Sequence, residues 1–183
     1  MPLDVLSRIH TRRANLSEID LLAAIDDDSA MLFVEAGLDV DFPADHEFLL
    51  HERRRWRDCL DAGTTLLAID EQLGPAGFAM LGRLDGEAYI EQLSVRREAM
   101  RRGIGTMLLG AVSAMAAAAG ERAIWLTTYG HLRWNRPFYA RNGYVLLSED
   151  DCGRELAHEL EVQRRWLPHP QQRVAMRRSL CES

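Results

Sequence analysis

One stretch of this 183-residue chain has the residue types and spacing of an anion site. Tyr89-Ile90-Glu91-Gln92-Leu93-Ser94-Val95 has strand character, Arg101-Arg102-Gly103-Ile104-Gly105 follows, and an alanine-rich run to Gly120 has helical composition. The first turn of a helix presents backbone N–H groups that have no partner inside the helix, and these point at whatever precedes it. Gly103 and Gly105 lack a Cβ, so an anion can approach the backbone closely and positive φ costs little. Arg101 and Arg102 add charge. A helix start contributes only about 0.3–1 kcal/mol per exposed anion, so several amides and a guanidinium must act together, which suits a diphosphate better than a carboxylate. Two familiar phosphate loops do not fit. The dinucleotide fingerprint needs glycine at position 108, which is Leu108, and the P-loop needs a lysine that follows neither glycine. The six histidines have no ligand spacing, so no metal is expected, and Ser94 lacks the glycine elbow of a hydrolase nucleophile. Cys59, Cys152 and Cys181 are widely spaced without a C-x-x-C pair and read as inert thiols.

The elements that must hold this stretch follow from the pattern around it. A composition of 47% apolar and 27% charged residues, at this length, predicts one globular domain over 1–183 with its core at about 7–179. The net charge of −6 and pI near 5.5 argue against a nucleic-acid partner. No apolar run is long enough to span a membrane, and the N-terminus lacks a basic-then-apolar leader, so a cytoplasmic location is expected. Residues 7–13 predict an edge strand. Ser17-Glu18-Ile19-Asp20 opens a helix with Ile19, Leu22, Ala23, Ile25, Met31, Leu32 and Val34 on its apolar face and Asp26-Asp27-Asp28 in solvent. A second helix is predicted over 45–62, ended by Gly63, with Arg53-Arg54-Arg55 on a solvated face. Strands are predicted at 64–69, 76–84 and 88–95 as a meander, followed by a helix over 104–119 with Ile104, Leu108, Ala111 and Met115 inward. A strand at 123–128, parallel to 88–95, then a short helix over 134–142, a strand from Tyr144, a helix over 154–166 and a strand at 173–178 complete the chain. The fold class is α/β: a mixed sheet flanked by helices.

Arg101-Arg102-Gly103-Ile104-Gly105, after a strand ending in Leu93-Ser94-Val95, resembles motif A (Q/R-x-x-G-x-G/A) of the GNAT superfamily of acyl-CoA-dependent N-acetyltransferases, with Met100 at the motif's first position. Phe138-Tyr139-Ala140-Arg141-Asn142-Gly143-Tyr144 is similar to that family's Y-x-x-x-G-[FY] element. Thr127-Thr128-Tyr129-Gly130 and Trp134-Asn135-Arg136-Pro137 look like those of a bacterial subgroup. The element order agrees over nearly the whole chain. The resemblance implies the GNAT acyl-CoA N-acyltransferase fold, with acetyl-CoA as co-substrate and no metal. It also implies direct acetyl transfer, through a tetrahedral intermediate, to the primary amine of a small molecule or peptide. Coenzyme A contacts are expected at Leu93, Ser94 and Val95, at Arg101, Arg102, Gly103, Ile104, Gly105 and Thr106, and at Asn135 and Phe138. Relatives are often homodimers; no nucleic acid or membrane partner is implied.

Such a transfer needs a neutral amine, a stabiliser for the oxyanion and a proton donor for the departing thiolate. An alkylamine with a pKa near 10.4 is neutral about one time in a few thousand at neutral pH, so a base or a desolvating site must help. Glu91 is the candidate base; the alternative is a polar strand residue facing solvent. Tyr139 stands where the family's tyrosine acid stands, and stays protonated at neutral pH; the alternative is an aromatic packed beside Phe138. A strand bulge in the family frees amides near Leu93 and Val95 for the oxyanion. Glu35, a carboxylate in Leu32-Phe33-Val34-Glu35-Ala36, is expected to be partly buried and to bind a small cationic amine beside Phe33; a surface acid or an internal arginine pair is the alternative. Two other functions compete: a catalytically silent acyl-CoA sensor, and a nucleotide-binding interaction protein.

Overall fold

The structure is a computed structural model that describes residues 8–180. Among these residues one mixed sheet contains β1 (Ile9–Arg13), β2 (Thr65–Asp70), β3 (Gly74–Leu84), β4 (Glu87–Val95), β5 (Ala123–Tyr129), β6 (Val145–Leu146) and β7 (Arg173–Ser179). Their spatial order is β1-β2-β3-β4-β5-β7-β6, and every neighbouring pair is antiparallel except β4 with β5. The helices are α1 (Ile19–Glu35), α2 (Glu47–Asp61), α3 (Ile104–Ala118), α4 (Arg136–Arg141) and α5 (Arg154–Trp166). Ser7 and Cys181 lie outside the described residues.

Strand alternation divides the core between the two faces of the sheet. Phe78 and Met80 of β3 join Leu67 of β2 against Leu22 and Ile25 of α1 and Trp56 of α2. Ala79 and Leu81 turn the other way, toward α3, where Ile104, Leu108, Leu109, Val112 and Ala116 are buried. Each fully buried leucine, isoleucine or phenylalanine contributes about 1.5–3 kcal/mol by leaving water. The inward stripe of α3 is therefore rotated from the expected one: Ala111 and Met115 are only partly buried, and the larger Leu109 and Val112 fill the space above the sheet.

Local signals set the element ends. Asn15 caps a single 3-10 turn (Leu16–Glu18) through a capping box with Glu18, so α1 begins two residues after the expected Ser17 start. The ring of His46 accepts the Phe48 N–H at 3.2 Å and caps α2. The expected strand from Tyr144 is two residues long, because Tyr144 itself is buried in the α3-side core.

Two irregularities in the sheet open a cleft. In the β3–β4 pair Met80 faces Gln92 and Leu81 faces Ile90, so Glu91 is an extra residue in β4, a β-bulge. The parallel β4–β5 pair contains only Ala88 with Ile124 and Tyr89 with Trp125, although β4 continues to Val95 and β5 to Tyr129. The two strands separate beyond those pairs, leaving a gap in the middle of the sheet.

Candidate active site

The gap is the floor of a cavity of about 500 Å³. Gln92, Leu93 and Ser94 line it from β4, Thr127 and Tyr129 from β5, and Asn135 and Tyr139 from the segment around α4. The helices α1 and α2 cover it with Asp26, Phe33, Phe48 and Glu52. The Arg96 N–H donates to Ala76 O at 2.8 Å on the β3 side. Strand alternation then turns the Leu93 and Val95 amides toward the unpaired β5 side, where no strand ladder takes them up.

Beyond Met100, whose amide donates to Arg97 O at 3.2 Å, the turn into α3 is a row of free donors, and the next backbone amide with an acceptor is Met107, which donates to Gly103 O at 3.0 Å. The amides of residues 101–106 have none among the described residues, and no side chain caps the helix. Arg101 (φ 61°) and Gly103 (φ 85°) both adopt left-handed backbone, the alternation that turns successive N–H groups into one concavity. The first turn of α3 carries no acid. These residues fit a diphosphate. The two arginines differ, however. Arg102 pairs with the buried Asp70 at 3.0 Å and is largely neutralised there, whereas Arg101 is exposed and has no acceptor among the described residues. The Ile104 side chain is core, so only its amide faces the turn. A Cβ added to Gly105 would stand 3.3 Å from Phe138 Cζ, so this glycine lets the Phe138 ring close over the helix start. Val95 packs into the same corner, and Thr106 is exposed beside it.

The carboxylates are arranged differently from the expectation. Because of the bulge, Glu91 and Gln92 are consecutive yet both line the cavity side of β4, and Gly82 leaves room for the Glu91 carboxylate. That carboxylate accepts from Arg55 Nε at 2.7 Å and from Nη2 at 2.5 Å, and Arg55 also lies 3.4 Å from Glu159. Burial pushes Glu91 up and Arg55 pulls it back. Glu91 is thus neither solvent-facing nor a free base, and Arg55 is not on a solvated face. Asp26, expected in solvent, instead accepts from Ser94 Oγ at 2.6 Å and from Gln92 Nε2; burial pushes its carboxyl up. Glu52 is half-buried on the cavity wall and has no hydrogen-bond partner among the described residues. Burial, then repulsion from Asp26 and Glu159, pushes its carboxyl up to about 8.

Tyr139 lines the cavity, and its hydroxyl has no partner among the described residues. Burial pushes it up to about 12, against the attraction of Arg173, so it stays protonated. Its ring packs at 5.2 Å from Phe138 and 5.8 Å from Tyr144, which fixes its direction. The Asn135 side chain makes no cap bond, and Asn135 lines the cavity; the backbone carbonyl of Asn135 accepts the Tyr139 N–H at 3.1 Å. Phe33 lines the cavity, edge-on to Trp134. Glu35 does not. It is 59% exposed and pairs with Arg97 at 2.9 Å, while Arg97 also holds Asp28. The burial of Cys59 pushes its thiol up to about 12, leaving it unreactive.

Asp26, Glu52 and Arg173 were missed by the sequence reasoning, although a signal existed for the acids. Glu52 stands four residues from both Phe48 and Trp56, and Asp26 four from Leu22, so helical spacing places both on buried stripes.

The comparisons with known proteins agree with this geometry. A sequence model of the Acetyltransferase (GNAT) family matches residues 31–144, from the end of α1 through the α3 turn to Tyr144. An acetyltransferase of the GNAT family from Staphylococcus aureus Mu50 superposes with a TM-score of 0.69 at 19% identity, over 94% of this chain and 99% of that one. The PaiA N-acetyltransferase from Thermoplasma acidophilum, solved in complex with coenzyme A, gives 0.67 at 16% identity over 93% and 98%. N-acetylglutamate synthase from Neisseria gonorrhoeae, complexed with coenzyme A and N-acetyl-glutamate, gives 0.68 at 16% identity. That match covers 95% of this chain, which spans about a third (35%) of the synthase's length. At such identities the likeness is one of fold. The family match extends over more than half of the residues and contains both the glycine turn and Tyr139, and on that basis the chain belongs to the Acetyltransferase (GNAT) family.

Proposed function

We propose that this protein transfers an acetyl group from acetyl-CoA directly to the primary amine of a small molecule, within the gap between β4 and β5. The observation that carries the reading is the row of acceptor-free amides at 101–106, reached from the same strand that turns the Leu93 and Val95 amides into the gap. One concavity would hold the diphosphate and the other the thioester oxygen, so a single strand–turn–helix unit serves both ends of the donor. The Thermoplasma and Neisseria neighbours bind coenzyme A, which supports the same donor here.

Acetyl-CoA, when bound, supplies an activated acetyl thioester. The remaining work falls to this chain's side chains and amides. The acceptor nitrogen enters as an ammonium beside Asp26 and Glu52 and pairs with the ionised form of Glu52, which predominates above about pH 8. Glu52 is assigned its proton: a carboxyl near 8 narrows the gap to an amine near 10.4 to about 2 pH units, against about 6 for an ordinary glutamate. The Leu93 and Val95 amides are donors for the oxygen on which negative charge develops. Tyr139 is the donor for the leaving sulfur. Since its hydroxyl is near 12 and a thiol near 8.5, complete transfer is uphill, and Tyr139 stabilises the thiolate by a hydrogen bond. Glu91, tied to Arg55, positions β4 at the bulge.

The test is release of free thiol from acetyl-CoA with and without a panel of primary amines. Amine-dependent release is expected. Tight acetyl-CoA binding with no amine-dependent release would leave a silent acyl-CoA sensor in its place.

A further inference from the structure

Arg173 begins β7, in register with Tyr129 at the end of β5. It is 8% exposed, yet it lines the cavity. Its Nη2 donates to Gln163 Oε1 and to Thr127 Oγ1, and its guanidinium lies 4.7 Å from the centre of the Tyr129 ring. Nε and Nη1 have no acceptor among the described residues, and no described carboxylate is within ion-pair distance. Two less deeply buried arginines do find one: Arg55 takes Glu91 and Glu159, and Arg102 takes Asp70. A buried guanidinium without a counter-ion is costly, so its retention calls for a partner that arrives from elsewhere.

The same cavity holds the opposite case in Glu52, a carboxylate with no hydrogen-bond partner among the described residues. The two charges are near enough to influence one another's ionisation and do not form an ion pair. Phe33, Phe42 and Phe48 complete the wall on that side. A ligand that satisfied both charges would carry an ammonium and a carboxylate on one apolar frame.

We propose that the acceptor is an amino acid with an apolar side chain, its amine beside Glu52 and Asp26 and its carboxylate on Nη1 and Nε of Arg173. This rests on the N-acetyltransferase reading and narrows it. The site would discriminate at the carboxylate, because an acceptor without one leaves the buried guanidinium unpaired.

The experiment compares matched pairs on the wild-type protein: leucine, methionine and phenylalanine against their decarboxylated amines and their carboxamides. kcat/KM for acetyl transfer is the first readout, and calorimetric binding of the same compounds is the second. The amino acid is expected to exceed its decarboxylated partner by about 10- to 1,000-fold in kcat/KM. In Arg173→Lys and Arg173→Met that preference should shrink to about threefold or less, with the acetyl-CoA KM within about twofold of wild type. Decarboxylated amines that equal or outperform the amino acids in the wild-type protein would overturn the proposal and leave the N-acetyltransferase reading intact. So would a loss in the Arg173 variants confined to the acetyl-CoA KM. Amino acids that bind more tightly than the amines but accept no acetyl group would keep the carboxylate contact with Arg173 and overturn both the acceptor role and the transferase reading. Binding of neither class would overturn the proposal. The matched pairs decide the question even if the Arg173 variants fail to fold.

Discussion

Replacing Glu52 with glutamine should stabilise the protein and disable it. The folded protein holds the Glu52 proton up to about 8, whereas an unfolded chain releases it near the ordinary 4.5. The stability that comes from holding the proton is complete below about 4.5 and declines as pH rises through about 8, because the folded state must then ionise a carboxyl that burial and Asp26 disfavour. A displacement of this size corresponds to at most about 4–5 kcal/mol. The side chain is half-buried and opens on the cavity, which reduces the expected effect to about 1–3 kcal/mol. Glutamine does not ionise. Urea unfolding should therefore give Glu52→Gln and wild type similar stabilities at about pH 5, and the variant an advantage of about 1–3 kcal/mol at about pH 9. The same substitution removes the assigned base, so kcat/KM for acetyl transfer should fall by about 100- to 10,000-fold, and the wild-type rise in rate through about pH 8 should disappear. Parallel stability curves across this range would refute the buried ionisation. Wild-type turnover in the variant would refute the catalytic role even if the stability difference were found.

Tyr139→Phe keeps the ring that packs against Phe138 and Tyr144 and removes the hydroxyl, so turnover should fall by about 10- to 1,000-fold while calorimetric acetyl-CoA affinity changes little. Gly105→Val places new carbon at the face where an added Cβ would stand 3.3 Å from Phe138 Cζ; acetyl-CoA binding should weaken by at least about tenfold with the circular dichroism spectrum unchanged, and equal affinity would remove the α3 turn from the donor site. Glu35→Gln breaks an exposed pair with Arg97, so acceptor and donor KM values should both stay within about twofold and stability within about 0.5 kcal/mol; a raised acceptor KM would return Glu35 to the site.

The fold was legible where the pattern was strong. Alternation around the Asp85-Gly86 turn, the capped and glycine-ended helices and the basic turn before Ile104 located nearly every element of the structure, in places to the residue, as for α5. The donor turn could be read because helix termini are anion sites for reasons of backbone geometry, independent of what packs around them. The acceptor side could not be read in the same way. Glu35 is read from its apolar neighbours and Glu91 from its place on the central strand, but the fate of a charge depends on which arginine reaches it, and Arg97 and Arg55 come from 62 and 36 residues away. Asp26 and the bulge at Glu91 show the same limit: the aspartate run looks solvated until Ser94 and Gln92 close on it from another element, and one extra residue in β4 turns two consecutive side chains to the same side. No local rule anticipates a buried arginine left unpaired, because its lack of a partner depends on every element around the cavity.

The most direct test of the account follows the acetyl group itself. Isotope-labelled acetyl-CoA, mixed with the protein and an accepted amine and quenched within a single turnover, should leave its label in the amide product and none on the protein, detected by mass spectrometry of both. The chain contains no lysine, so label retained by the protein would mark an acyl-enzyme rather than incidental lysine acetylation. Label on the protein before it appears in product, or no label on any amine despite bound acetyl-CoA, would contradict direct transfer in the gap between β4 and β5.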